Sequence, residues 1–217
     1  MLVGERMSKP VITVRPDTSM PEALDMMRKE HIRRLPVVNQ RGELIGIVTE
    51  TDLLKASPSE ATSLSIYEVT YLLSKLTVDR IMTRKVITTT EDTPLEEAAL
   101  IMTDNNFSGL PVMRDKELVG IITESNLFRI FLELLGARRA GIRVTVSLPD
   151  KPGELANLTR AIHNAGGNII ALGTTMGESP AEGWVTFKVE GMEMEPLKKA
   201  IQPLVKKVID IRVTKAV

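Results

Sequence analysis

Two turns in this 217-residue chain carry side chains with ligand-binding chemistry. In the first, Gly46-Ile47-Val48-Thr49 runs into Glu50-Thr51-Asp52; in the second, Gly120-Ile121-Ile122-Thr123 runs into Glu124-Ser125-Asn126. A β-branched run ending at threonine and followed by helix-forming residues reads as a strand feeding a helix. A carboxylate just inside that helix can accept from both hydroxyls of a vicinal diol, and such charge-assisted bonds are the stronger kind. The threonine hydroxyl and the free amides of the helix start suit a phosphate. Asn126 stands where the first copy has Asp52; it offers one acceptor and one donor group, a weaker ligand for a diol. Thr-x-x-Asp is also close to a capping box, so Thr49 and Asp52 could serve only to satisfy the first amides of their helix. Arg33 and Arg34 bring guanidinium forks that match phosphate geometry, although arginine is mostly an exposed surface residue.

These turns belong to an internal repeat. Val3 to Thr13 reappears as Val78 to Thr88, Leu35-Pro36-Val37 as Leu110-Pro111-Val112, and Leu44 to Leu53 as Leu118 to Leu127. One residue is lost where Asn39-Gln40-Arg41-Gly42 becomes Arg114-Asp115-Lys116. Each copy predicts a short strand (Val11 to Val14, Val86 to Thr89), a helix, two strands and a second helix. Asp17-Thr18 and Asp92-Thr93 are expected to cap the first helix of each copy, with Thr93-Pro94-x-Glu96 in capping-box form. The paired strands are expected at Leu35 to Val38 with Leu44 to Val48, and at Leu110 to Met113 with Leu118 to Ile122. The second copy should end in a helix stopped by Gly136. One such unit buries too little surface to be secure alone, so the two copies should pack face to face.

The pattern changes after Gly141. Ile142 to Leu148 alternates like a half-buried strand, and Asp150-Lys151-Pro152-Gly153-Glu154-Leu155 punctuates entry to a helix through Leu158 and Ile162. Strands at Asn168 to Met176 and Trp184 to Val189, a helix through Leu197, Ile201, Leu204 and Val205, and a strand from Val208 to Thr214 complete a β-α-β-β-α-β order of the ferredoxin-like kind. The fold class is therefore α+β. The expected domains are a first repeat over 1–57, a linker with a helix over 58–77, a second repeat over 78–136, and a last domain over 140–217.

Composition narrows the functional classes. Hydrophobic residues make up 43% and aromatics only 3%, so the core must be aliphatic. Formal net charge is zero, with 28 basic and 28 acidic residues, which argues against binding of nucleic acid or a membrane surface. Cysteine is absent, so disulfides and thiolate chemistry are excluded, and His31 and His163 stand too far apart to begin a metal site. No P-loop, dinucleotide fingerprint or nucleophile–histidine arrangement occurs, so no enzyme activity is expected. Without an apolar leader or a membrane-length apolar run, the expected compartment is the cytoplasm.

On these motifs, residues 3 to 135 resemble a tandem pair of CBS domains, residues 140 to 217 resemble an ACT domain, and the order is similar to the bacterial acetoin-utilisation protein B type. The CBS resemblance implies a non-catalytic sensor that takes AMP, ADP, ATP or S-adenosylmethionine between the repeats. It implies one composite site from Thr49, Thr51 and Asp52 with Thr93, Ser108 and Gly109, and another from Thr123, Ser125 and Asn126 with Thr18, Arg33 and Arg34. The two would be unequal, the first better equipped for ribose and the second for phosphate. The ACT resemblance implies either an amino acid held between Asp150, Pro152, Gly153 and Leu155 and Asn168 of a neighbouring subunit, or a domain that only assembles subunits. In the second case Asp150 is a helix cap and Asn168 a turn residue. A homodimer that regulates another enzyme is the implied setting, and a structural subunit with degenerate sites is the alternative.

Overall fold

The computed structural model describes residues 1–56 and 65–216. The chain divides into two compact units, Met1–Leu127 and Phe128–Val217. The beginning of the linker expected over 58–77 lies outside the described residues.

The first unit opens with the short helix α1 (Val3–Arg6) and continues with α2 (Met20–Lys29), β1 (Arg34–Val38), β2 (Leu44–Thr49) and α3 (Glu50–Lys55). After α4 (Ile66–Lys75) the pattern returns as α5 (Val78–Ile81), β3 (Thr89–Thr90), α6 (Leu95–Asn105), β4 (Gly109–Arg114), β5 (Glu117–Thr123) and α7 (Glu124–Leu134). Strands β1 and β2 pair antiparallel, as do β4 and β5 in the same register. The strand expected at Val11 to Val14 shrinks to one parallel bridge between Val14 and Val37, and its copy to the two residues of β3 beside β4. Val86 and Ile87 lie outside the ladder and line a cleft instead.

Two expected caps move. The N-cap of α2 is Ser19, whose hydroxyl accepts from Glu22 N–H while the Glu22 carboxylate accepts from Ser19 N–H. Thr18 instead closes a turn, accepting from Arg15 N–H at 3.2 Å. Likewise Thr93 accepts from Thr90 N–H, and Pro94 takes the N-cap position of α6 without a side-chain bond. In both copies the threonine side chain fits the turn better than the helix start.

The repeats are interleaved rather than stacked end to end. Val3 and Gly4 donate their amides to Thr93 and Glu91 of the second copy, while Val78 and Asp79 donate to Thr18 and Pro16 of the first. Val78 and Met82 accordingly sit in the first repeat's core with Val14, Met20, Met27, Leu35, Val37, Val48 and Leu53. Ser8 and Ile121 exchange both backbone hydrogen bonds, as do Ile47 and Thr83. Each lead-in thus adds a bridge to the other copy's sheet.

In the second unit, β6 (Gly141–Pro149), α8 (Glu154–Asn164), β7 (Asn168–Met176), β8 (Glu182–Glu190), α9 (Met194–Ile201) and β9 (Lys207–Thr214) build one antiparallel sheet in the order β7-β8-β6-β9. Val144, Val146, Leu148, Val185 and Phe187 of the sheet pack on Leu158, Ile162, Leu197 and Ile201 of the helices. Helix α9 ends at Ile201, before Leu204 and Val205: Gln202 caps it with a helical backbone and donates its N–H to Lys198 O, but Pro203 has no N–H to continue the ladder. The end of α7 closes as expected: Gly136 N–H bonds Glu133 O and Ala137 N–H bonds Leu132 O, with Gly136 at φ +60°. Lys188, buried on the sheet, donates Nζ to Gly136 O at 2.8 Å and also to Arg139 O.

Candidate functional site

The first turn makes the capping box that its sequence suggests. Asp52 Oδ2 accepts from Thr49 N–H at 2.9 Å and from the Thr49 hydroxyl at 2.6 Å, and Asp52 N–H returns a bond to Thr49 Oγ1. The cap consumes one carboxylate oxygen. The other, Oδ1, has no hydrogen bond among the described residues, so the capping and ligand readings hold together. The amide of Glu50 is taken by Arg33 O, and α3 is only six residues long. Phosphate recognition at this turn therefore falls to side chains.

Asp52 faces a cleft of about 450 Å³, within the usual range for small-molecule sites. Its polar lining includes Arg33, Arg34, Thr49, Glu50, Thr51, Lys85 and Ser108. Ile47, Val86, Ile87, Phe107 and Pro111 supply the apolar walls. Both repeats contribute, which the interleaved fold makes possible. Three cationic side chains stand against two carboxylates.

Arg34 is the unusual member. It is 8% exposed, and its Nη2 donates to Ser108 Oγ with no carboxylate in ion-pair range among the described residues. Burial lowers its pKa, the neighbouring Arg33 charge lowers it further, and Glu124 partly offsets both. A buried cation without a counter-charge is costly. An anionic group entering the cleft would relieve that cost. Gly109 is needed here, since a Cβ on it would lie 2.5 Å from Arg34 Nη1 and 2.9 Å from Ile122 O.

The partition of residues expected from sequence is thereby corrected. Arg33 and Arg34, grouped from sequence with Asn126, line the same cleft as Thr49, Thr51, Asp52, Ser108 and Gly109. The arginines stand at the start of β1, beside the strand β2 that delivers Thr49; Arg34 and Thr49 are register partners. Thr18 and Thr93 line neither this cleft nor any contact with Asp52; both close turns. Asn126 is 7% exposed and bonded within the chain, Thr123 is half-buried, and Ser125 is exposed. Sequence reasoning missed Lys85, Val86, Ile87 and Phe107. The displaced first strand could have pointed to them, because Val86-Ile87 follows the repeated lead-in directly.

A model of the CBS domain family matches residues 3–59 and 78–133, more than half of the chain. The chain belongs to the CBS domain family. A TTHA0829-like ACT domain matches residues 140–212, so the CBS pair is followed by an ACT domain. Over 131 residues the chain is 37% identical to the L-aspartate semialdehyde sulfurtransferase of Methanocaldococcus jannaschii, covering 60% of this chain but only 23% of that enzyme. A CBS domain-containing protein of Dictyostelium discoideum is 35% identical over 136 residues, covering 62% of this chain and 94% of its own length. Among solved structures, the CBS domain pair of protein MJ0100, in complex with 5′-methylthioadenosine and S-adenosyl-L-methionine, is 36% identical. It covers 64% of this chain and 98% of that one, with a TM-score of 0.52. A Vibrio cholerae protein named for acetoin utilization (AcuB) is 28% identical, covering 63% of this chain and 93% of that one, with a TM-score of 0.53.

The ACT candidates lie in the second unit. Asp150, Pro152, Gly153, Leu155 and Asn168 are all exposed. Asp150 does not cap α8; its amide donates to Ala181 O, and Gly153, at φ +93°, is the N-cap residue. Asn168 begins β7 rather than a turn and donates Nδ2 to Glu190 Oε1 at 2.9 Å. No group of histidine, aspartate or glutamate among the described residues is arranged to hold a metal ion. No helix among them is long and apolar enough to cross a membrane.

Proposed function

We propose that the CBS pair is a non-catalytic sensor that binds an adenosine ligand bearing phosphate in the Asp52 cleft. The observation that carries this reading is the pairing, in one cavity, of a carboxylate with a free oxygen and a buried arginine that has no ion-pair partner among the described residues. Asp52 Oδ1 would accept from the ribose hydroxyls. Arg34, with Arg33 and Lys85 nearby, would take the phosphate through charge-assisted bonds. The base would lie against Val86, Ile87, Ile47 and Phe107. Binding to the MJ0100 pair by methylthioadenosine and S-adenosylmethionine supports an adenosine ligand, but neither brings a phosphate to neutralise Arg34. AMP, ADP or ATP is therefore the better match to this chain's charges.

The ACT domain is assigned to assembly, with the five candidate residues as its amino-acid site in the alternative. Edge strands β7 and β9 leave unpaired backbone at both sides of the sheet, and an exposed edge invites pairing with another copy. A homodimer in the cytoplasm, regulating an enzyme rather than catalysing, completes the reading. Regulation requires that the ligand prefer one conformation; binding alone shifts no equilibrium.

The test is calorimetry with AMP, ADP, ATP, S-adenosylmethionine and methylthioadenosine on the wild type and on Asp52→Ala. Losing bonds worth about 1.5–3 kcal/mol should weaken the preferred nucleotide roughly 10- to 100-fold. Equal affinity in the variant would remove Asp52 from the site. A preference for S-adenosylmethionine over every nucleotide would remove Arg34 from its role.

A further inference from the structure

The second turn repeats the cap of the first but ends differently. Asn126 Oδ1 accepts from Thr123 N–H at 2.9 Å and from the Thr123 hydroxyl at 2.6 Å. A backbone amide can only donate, which fixes the orientation of the side-chain amide. Its Nδ2 then points at the chain's own N-terminal segment, donating to Arg6 O and to Ser8 Oγ, both at 3.2 Å. An asparagine side chain has two N–H donors and two acceptor lone pairs. All four are spent inside the protein, and none is left for a ribose.

The equivalent lead-in segment of each copy flanks the turn of the other. Ser8 bridges Ile121 as Thr83 bridges Ile47. What differs is the side chain that meets it. A carboxylate cannot donate to a carbonyl, so Asp52 keeps Oδ1 free, whereas the amide of Asn126 ties Arg6 O and Ser8 down. The cations differ too: the positions matching Arg33, Arg34 and Lys85 in the other copy are Ser108, Gly109 and Pro10. Asn126 thus offers no free ribose acceptor, and the three matched positions offer no cation for a phosphate.

We infer that the chain binds one nucleotide, at the Asp52 cleft, and that its second half-site is sealed by its own N-terminal segment through Asn126. This rests on the nucleotide reading above, but the seal has a test of its own. Calorimetry with AMP and ATP should give one ligand per chain, and Asp52→Asn should abolish all of it. Two ligands per chain, or a site that survives Asp52→Asn, would overturn the inference. Without nucleotide, Asn126→Asp removes the two donors and should let the Ser8 and Ile121 amides exchange with deuterium roughly tenfold faster. Unchanged exchange would also overturn it, since the seal would then not depend on Asn126. If the wild type binds no nucleotide, the proposed function fails while the exchange arm still decides the seal.

Discussion

Arg34 and Gly109 hold the same position in the two repeats, and they touch. Equivalent residues in contact must lie close to any axis that exchanges the copies, and two arginines there could not both be buried. One copy therefore carries the side chain and the other leaves the room for it. The same division runs through the turns: Asp52 keeps a free oxygen, while Asn126 has none. Duplication supplied two similar frames, and a few substitutions at matched positions make them unlike; on the reading proposed above, one is a binding cleft and the other a closed joint. In a pseudo-symmetric pair, function is read from the places where the symmetry is broken.

The most damaging way to test that division is to fill the room. In Gly109→Ala the new Cβ meets the Arg34 guanidinium and, at 2.9 Å, the backbone oxygen of Ile122, which cannot step aside. Urea unfolding should show a loss of about 1–3 kcal/mol, typical of overpacking. Nucleotide affinity should fall as well, because Arg34 must leave its place. A variant that keeps both would mean that Arg34 has another position of similar energy.

Removing the charge instead should separate the two effects. Arg34→Met keeps most of the side-chain volume and deletes a buried cation whose hydrogen-bond partner, Ser108, is uncharged. The unliganded protein should gain up to about 1 kcal/mol, while AMP affinity drops roughly 10- to 100-fold. Stability and binding move in opposite directions only if Arg34 is held for the ligand. A large loss of stability would make it a structural residue bound to Ser108.

Much of this was legible in the sequence, and the failures are instructive. The repeat, the paired strands and the order of the ACT elements follow from periodicity, which is a local property. Asp52 and Thr49 were legible because a strand-to-helix turn places its own residues. The grouping of Arg33 and Arg34 was not, because it depends on which copy's cleft the start of β1 faces. Nor was the sealing of Asn126, since its partners Arg6 and Ser8 lie 120 and 118 residues away. Thr18 and Thr93 misled for a local reason: threonine closes a turn as readily as it caps a helix, and Ser19 with Glu22 made the better box.

The mildest departure from symmetry lies in the core. Val14 and Thr89 match, and they are 3% and 6% exposed. Val14 packs with Leu35 and Val48, but Thr89 brings a hydroxyl to the same place, and its Oγ1 is buried without a hydrogen-bond partner among the described residues. An unsatisfied buried hydroxyl costs about 1–3 kcal/mol, and valine has nearly the same shape. Thr89→Val should therefore stabilise the CBS pair by about 1 kcal/mol, and Val14→Thr should destabilise it by at least as much, both read as shifts in the urea midpoint. Nucleotide affinity should stay unchanged in Thr89→Val, because Val86 and Ile87, not Thr89, form the cleft wall. A change in affinity would show that the short strand β3 transmits core packing to the cleft. The second repeat would then shape the site through its interior as well as its surface.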